Sequence, residues 1–279
     1  MVKTLGNIDR RLIYLILIVL VLWPLVKPIG LPVSVGPWTR DVFKTVDTLT
    51  PGDIVIMSLD YSIGGAPDVH PQAVAMAKHV FAKGGRVIFM AFVDQGVIFI
   101  DEIVAWAEST GKVYGQDFCD VGYLAGIETA IAAMASDFYV AFPQDRRGNA
   151  TASIAMLSGY TGIQDTKMIL EFATGNPGPM EWIRQVYNLY HIPMMAGLVT
   201  VMAPQTEPYY QAGQLFGILA GLRGAAEYEI ASGIPGKAAA GMDAQSLGHF
   251  VIIGFTILGN IIYAIERSQK AKKTSEVRG

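Results

Sequence analysis

The chain has 279 residues, of which 52% are hydrophobic and only 16% are charged, and its net charge is −3. An ordinary soluble domain is about 25% charged, so this composition predicts membrane segments. The single cysteine, Cys119, excludes an intramolecular disulfide. The four histidines show none of the spacings typical of a zinc site, so no metal is expected. Nothing in the sequence indicates a cofactor.

The first predicted transmembrane helix covers residues 12–31 and follows a short tail, residues 1–11. Its core is a run of fifteen residues, 12–26, without a charge. Because such a run spans only about 22 Å, the helix needs the residues that follow, with the Lys27 amine reaching to the interface. Bulky residues and prolines stand in place of a small-residue cleavage site, which favours an uncleaved signal-anchor over a signal peptide.

The second predicted transmembrane helix covers residues 247–265, nineteen residues that carry no charge when His249 is neutral. A buried core helix is the alternative, but basic residues lie directly outside both runs. Residues 1–11 hold three basic residues against one acidic, and the tail 266–279 holds five against two, which leaves −8 for the middle. The positive-inside rule then predicts cytoplasmic tails and an outer domain, residues 32–246. An acidic domain is a poor binder of nucleic acid.

Within the domain, strand-like apolar segments alternate with helical patterns. The predicted strands are residues 53–59, 86–92, 112–119, 167–173 and 197–203, and the predicted helices are residues 39–49, 70–83, 96–109, 125–136, 179–190 and 208–231. Strands rich in Val, Ile, Phe and Met are typical of a parallel sheet covered on both faces. The alternation predicts a doubly wound, Rossmann-like α/β fold with a mostly parallel five-stranded sheet. Residues 137–166 interrupt it and are expected to form an excursion over one sheet edge.

Polar residues follow the predicted strands, at the edge where open α/β sheets bind ligands. Asp60, Asp94 and Asp120 are candidates for acid–base catalysis or for holding a divalent cation. The alternative is that these aspartates cap helices or make Asx turns. The predicted ligand-binding residues of the same loops are Tyr61, Ser62, Thr174, Asn176 and Gln205.

Two other site types find little support in the motifs. Residues 174–179 open a helix and are placed to receive an anion on backbone N–H groups, but Pro177 and Pro179 remove two of those donors. A structural loop is therefore favoured there. No serine lies in a G-x-S-x-G or S-x-x-K motif, so a hydrolase triad is neither indicated nor excluded.

The predicted helix 208–231 is unusually rich in small residues. Its glycines recur at intervals of four, four and three residues, at Gly213, Gly217, Gly221 and Gly224. Such a stripe allows close helix packing, either against the sheet of the same domain or against a second copy. Asn260 lies deep in the second apolar run, where a polar group usually bonds another helix. The predicted partners are thus the lipid bilayer and a second copy or other membrane proteins.

Two short segments, GLRGAAEYE at residues 221–229 and GMDAQS at residues 241–246, precede an apolar run. They resemble segments of an uncharacterised family of prokaryotic membrane proteins. The resemblance covers less than a tenth of the chain; it implies membrane association and carries over no site residue. The sequence therefore favours a membrane-anchored, non-catalytic module that binds a ligand or partner and self-assembles. The alternative is an outward-facing hydrolase or metal-dependent enzyme that uses the strand-end aspartates.

Overall fold

The computed structural model describes residues 9–234 and 236–276. The described chain forms two compact units. One is the α/β domain, Val33–Ala238, and the other combines the two ends of the chain. Each unit is considered separately below.

The domain is built on one parallel sheet of six strands. The strands are β1 (Ile54–Asp60), β2 (Arg86–Ala91), β3 (Phe118–Tyr123), β4 (Met168–Ala173), β5 (Met194–Leu198) and β6 (Ile218–Ala220). Their order across the sheet is β3-β2-β1-β4-β5-β6, and every neighbouring pair is parallel. The predicted α/β class is therefore confirmed, but five strands was wrong. The sixth strand has only three residues, too few to give a strand pattern in the sequence.

Helices connect the strands and also form most of the chain-end unit. They are α1 (Arg10–Val26), α2 (Pro37–Asp47), α3 (Ala66–Ala82), α4 (Gly96–Ser109), α5 (Glu128–Ser136), α6 (Phe138–Ala141), α7 (Pro179–Trp182), α8 (Asn188–Tyr190), α9 (Ala203–Gln211), α10 (Gly221–Ser232) and α11 (Ala238–Glu276). A π-helical turn, Ile183–Tyr187, joins α7 to α8. Side chains of α2, α3, α4 and α10 fill the core on one face of the sheet, and those of α5, α6 and α7 fill it on the other.

Two predicted strands were misplaced along the chain. Residues 112–117 form a turn rather than the start of β3, because the Asp117 carboxylate accepts the backbone N–H of Val113 at 2.7 Å. The apolar run 197–203 contains only the end of β5, and it continues into a 3₁₀ turn, Thr200–Met202, and then α9. The run of apolar residues therefore indicates that this segment is buried, but it does not distinguish a strand from a helix.

The predicted helix 208–231 is divided into three elements, so the four glycines do not form a stripe on one helix. α9 ends before Gly213, which has a φ of +74°, and α10 begins at Gly221, which has a φ of +60°. Between them, Gly217 precedes β6 and lies against α2, where a Cβ atom would collide with Val42. Only Gly224 is inside a helix, packed on the backbone of Leu219.

The predicted excursion between β3 and β4 lies along the edge formed by β3. It contains α6 and three short 3₁₀ turns, Thr151–Ser153, Ala155–Leu157 and Ile163–Asp165. The backbone N–H of Arg146 donates to the carbonyl of Asp120 in β3. This bond occupies a group of the edge strand that would otherwise be open to another chain.

The chain-end unit contains two apolar helices of different length. Among the described residues, only the stretch Ala238–Ile265 of α11 is long and apolar enough to cross a bilayer. The 17 residues of α1 span about 26 Å, less than the roughly 30 Å of a hydrocarbon core. The helix stops at Val26 because Pro28 disfavours helical geometry at Lys27, which is extended. Of the two predicted membrane-spanning helices, the described residues therefore show one of sufficient length, at the C-terminal end, and a shorter apolar helix at the other end.

Asp243 joins the two ends of the chain. Its buried carboxylate accepts three consecutive backbone N–H groups, from Ile29 at 2.9 Å, Gly30 at 2.8 Å and Leu31 at 3.0 Å. The segment after α1 is thereby fixed beside the beginning of α11. Three charge-assisted hydrogen bonds to one carboxylate hold this segment in a specific position relative to the start of α11.

We expect the substitution Asp243→Ala to release residues 29–31 from α11. Hydrogen exchange of the full chain in detergent should then show loss of protection at the backbone amides of residues 29–31. These amides donate to Asp243, and an amide without a hydrogen-bond partner exchanges faster. The control is Gln245→Ala, an exposed neighbour on the same helix, which should leave those amides protected. Equal exchange at residues 29–31 in Asp243→Ala and the unsubstituted chain would show that this carboxylate does not hold the segment.

Candidate functional site

The candidate site lies where the connections of the sheet diverge. β1 and β4 are neighbours in the sheet although they are not consecutive in sequence, and the chain leaves their carboxyl ends toward opposite sides. In open α/β sheets this switch point is where ligands bind. The loops after β1 and β4, residues 61–65 and 174–178, together with residues 92–95 after β2, are called the crevice loops below.

The crevice loops are joined by specific hydrogen bonds. The backbone N–H of Ser62 donates to the Thr174 hydroxyl at 3.0 Å, and that of Ile63 donates to the Gln95 side-chain oxygen at 2.8 Å. Gly65 packs so closely on Thr174 and Val199 that a Cβ atom there would collide with Thr174. The three loops thus form one connected rim at the switch point.

Asp60, the last residue of β1, lies directly beneath this rim. It is 1% exposed and accepts the backbone N–H of Phe92 at 2.5 Å and the Ser58 hydroxyl at 2.6 Å. The indole N–H of Trp182 in α7 is 3.5 Å from the same carboxylate. Burial raises the pKa of Asp60 to about 6, and the hydrogen bonds of Ser58 and Phe92 limit the rise.

Two further carboxyl groups lie near Asp60. Glu171 in β4 is paired with Ser58 in the sheet register, is 1% exposed, and neither of its carboxyl oxygens has a hydrogen-bond partner. Burial raises the pKa of Glu171 well above its usual range, and Asp60 and Glu181 raise it further. Glu181 in α7 accepts the backbone N–H of Gly178 and pairs with Arg184 at 2.6 Å. Burial and the two neighbouring carboxyl groups thus favour the uncharged form of Glu171.

Sequence reasoning missed Glu171 and Glu181, although a signal for Glu171 exists. It is a charged residue inside the otherwise apolar strand Met168–Ala173. A buried strand that carries one acid calls for a reason, because an isolated ionised carboxylate is very costly to bury. Glu181 has no such signal, since an acid in the first turn of a helix is ordinary capping chemistry.

The structure brings only some of the predicted ligand-binding residues together. Ser62 and Thr174 meet at the rim, and Asn176 is exposed in the same loop as Thr174. Tyr61 points to the opposite face of the sheet from Asp60, where it is fully buried and bonds His70. Gln205 is exposed on α9, the helix that follows β5.

The three candidate catalytic aspartates have separate environments. Asp94 is exposed and its carboxylate accepts the backbone N–H of Gln95, as expected of a turn residue. Asp120 lies on the edge strand β3 and pairs with Arg146 at 2.8 Å, which also binds Asp101. Burial raises the pKa of Asp120, and Arg146 opposes the rise. Within residues 9–234 and 236–276, no three His, Cys, Asp or Glu side chains are arranged to hold a metal ion.

The fold and site define a class of protein, a doubly wound α/β domain with the strand order of dinucleotide-binding folds. The loop after β1 lacks the glycine pattern with which those folds bind pyrophosphate. No protein-family model matches the chain, and no curated protein matches it. Open α/β folds bind ligands at the switch point, but the fold alone does not identify a ligand.

The environment of Asp60 leads to a prediction on stability. Its pKa rises on folding from the usual 3.8 to about 6, so ionisation in the folded state is unfavourable and the folded state loses stability as pH rises through this window. We expect Asp60→Asn to gain stability over the unsubstituted chain as pH rises, by up to about 3 kcal/mol in the free energy of unfolding. Urea unfolding of both chains across the window measures the difference.

The control for this measurement is Asp94→Asn, which changes an exposed carboxylate of the neighbouring loop. The gain in stability with rising pH is expected for Asp60→Asn and not for this control. A constant difference for Asp60→Asn as well would show that Asp60 ionises as easily in the folded state as in the unfolded chain.

Proposed function

We propose that this chain is a membrane-anchored α/β module that binds a small ligand at the crevice loops and catalyses no reaction there. The observation that carries the proposal is the meeting of the loops after β1 and β4 at the switch point, through the bond from Ser62 to Thr174. A rim of backbone and hydroxyl groups offers polar contacts to a ligand, and the Asp60 carboxyl beneath the rim is enclosed.

The chain-end unit supports the membrane anchor. α11 is long and apolar enough to span, and its large apolar side chains are widely exposed, such as Phe250 at 66% and Ile252 at 57%. The side chains of α1 are similarly exposed, with Leu15 at 57% and Trp23 at 58%. Apolar surface of this extent on two helices is stable in lipid and not in water.

The contacts inside the chain-end unit also support a second, N-terminal span. Val21 of α1 lies beside Gly248 of α11, and residues 29–31 are bonded to Asp243, so the two helices run antiparallel. The non-helical residues after Val26, of which residues 29–31 donate their amides to Asp243, can add the length that α1 lacks. An antiparallel pair places both basic tails at one end, which the positive-inside rule assigns to the cytoplasm. The α/β domain is then on the outer side.

The alternative of an enzyme that uses the strand-end aspartates receives no comparable support. Asp60 is enclosed, Asp94 is exposed, and Asp120 is paired with Arg146, so the three do not act on one substrate atom. Self-association remains part of the proposal through Asn260 in α11 alone, because the glycine stripe is not formed.

Ligand binding is tested by exchanging two adjacent glycines of one crevice loop. Gly65→Ala should push Thr174 away and open the rim, because the new Cβ atom occupies the position of the Thr174 side chain. Gly64→Ala is the matched control, since its Cβ atom would meet nothing closer than 3.9 Å. We expect native mass spectrometry of chain purified from its own membranes to detect a bound small molecule in the unsubstituted chain and in Gly64→Ala, and much less in Gly65→Ala.

Two results would contradict ligand binding at the crevice. One is a bound molecule retained equally by Gly65→Ala and Gly64→Ala. The other is the absence of any co-purifying molecule together with unchanged hydrogen exchange of the crevice loops when cell extract metabolites are added.

The proposed topology is tested with reporters fused to the full chain. After Gly279, a reporter that works only in the cytoplasm should be active, and one that works only outside should be inactive. In the exposed turn at Gly148, the opposite result is expected. Cytoplasmic activity at both positions would show that α11, which lies between them, does not cross the membrane, and would overturn the anchor. External activity after Gly279 would reverse the orientation.

A further inference from the structure

A cavity of about 220 Å³ lies on the other side of the sheet, between α3, α4 and the residues before α11. We call it the α3–α4 cavity. Its walls are mainly apolar, with Val74, Ile103 and Trp106 among them. Its polar and charged lining residues are His70, Lys78, Glu102, Glu229 and Lys237. An apolar cavity of about 150 Å³ is sufficient for benzene, so this cavity has room for one ring with a short substituent.

His70 connects the cavity to the buried core. Its Nδ1 atom is 2.8 Å from the hydroxyl of Tyr61, a side chain with no exposed surface. Its Nε2 atom is 3.3 Å from a Glu102 carboxylate oxygen but has no hydrogen-bond geometry to it or to any other described group. His70 therefore has one satisfied nitrogen and one buried nitrogen without a hydrogen bond.

The buried tyrosine decides which nitrogen of His70 carries the proton. Burial raises the pKa of Tyr61 well above its usual range, so the phenol keeps its hydrogen, which needs an acceptor in the core. Nδ1 of His70 is the acceptor that the structure provides. Burial also lowers the pKa of His70, against the opposing effect of Glu102, which favours the neutral ring. With the Tyr61 hydroxyl donating to Nδ1, the single ring hydrogen is then on Nε2. Nε2 is thus a buried hydrogen-bond donor on a residue that lines the cavity, with the Glu102 carboxylate 3.3 Å away.

We propose that the α3–α4 cavity binds a small neutral molecule with an apolar body and one acceptor oxygen, such as a carbonyl, and that His70 Nε2–H donates to this oxygen. The apolar walls favour the ring or chain of such a molecule over water. Glu102 stands 3.3 Å from the donor and would repel a carboxylate at the same position. The Glu102 side chain is 67% exposed, so it can turn into solvent and make room for the oxygen.

The same helix provides an internal control. His79, nine residues along α3, bonds the buried hydroxyl of Tyr228 through Nδ1 at 2.8 Å and faces the Asp47 carboxylate with Nε2 at 3.5 Å. It repeats the arrangement of His70, but it does not line the α3–α4 cavity. His70→Phe and His79→Phe each leave one buried tyrosine hydroxyl unpaired, so they disturb the fold in the same way.

The test uses the full chain in detergent, labelled with 5-fluorotryptophan, with the Trp106 resonance assigned from Trp106→Phe. The probes are acetophenone, which has an acceptor oxygen, and ethylbenzene, which has the same shape without one, compared at equal free concentration. We expect both to shift the Trp106 resonance, with acetophenone binding about fivefold to tenfold more tightly, the usual value of one hydrogen bond. His70→Phe should abolish this preference and His79→Phe should retain it.

Val74→Phe serves as a second variant that does not depend on the tyrosine pairs. It fills the cavity with a larger side chain and should abolish the shift by either probe. Equal affinities of the two probes for the unsubstituted chain, or no saturable shift of Trp106, would overturn the proposal. So would tighter binding of benzoate than of acetophenone, or loss of the preference in His79→Phe.

Discussion

The carboxyl group of Asp60 holds the centre of the domain together. It ends β1, accepts the backbone N–H of Phe92 after β2, and lies beside the indole of Trp182 from the helix after β4. One side chain thereby fixes three connections relative to each other at the switch point of the sheet. Because it is buried, it does this at the cost of an unfavourable ionisation, which links the stability of this region to pH.

Glu171 gives this arrangement a second property. A neutral carboxylic acid in the middle of a parallel sheet adds no charge to the core, but it leaves polar atoms without partners. Proteins keep such groups mainly where they serve binding or proton transfer, since an apolar residue would be more stable there. The cluster therefore supports the proposal that the β1–β4 region is the functional part of the sheet, although the cluster itself is closed to solvent.

The two faces of the sheet are used differently. On one face, Asp60 and Glu171 lie beneath the crevice loops; on the other, two histidines of α3 each satisfy a buried tyrosine and turn their second nitrogen outward. A hydroxyl buried in a core needs a hydrogen-bond partner. A neutral histidine can accept that hydrogen bond with one ring nitrogen and donate with the other nitrogen to a group nearer the surface. At His70 the outward nitrogen reaches a cavity, so the same device that stabilises the core also provides a donor for a ligand.

The sequence by itself determined the α/β class, the parallel sheet, the apolar C-terminal helix and the placement of Ser62 and Thr174 in neighbouring loops. These follow from local composition and from the general position of strand ends, which a single chain displays directly. Only the tertiary structure decided that β6 exists, that the glycines of residues 213–224 serve three different elements, and that the buried Asp60 lies near Glu171 while Asp94 is exposed. Each of these depends on which segments become neighbours in space. A close approach of two backbones or two carboxyl groups produces no periodic residue pattern in either segment, so the sequence does not reveal it.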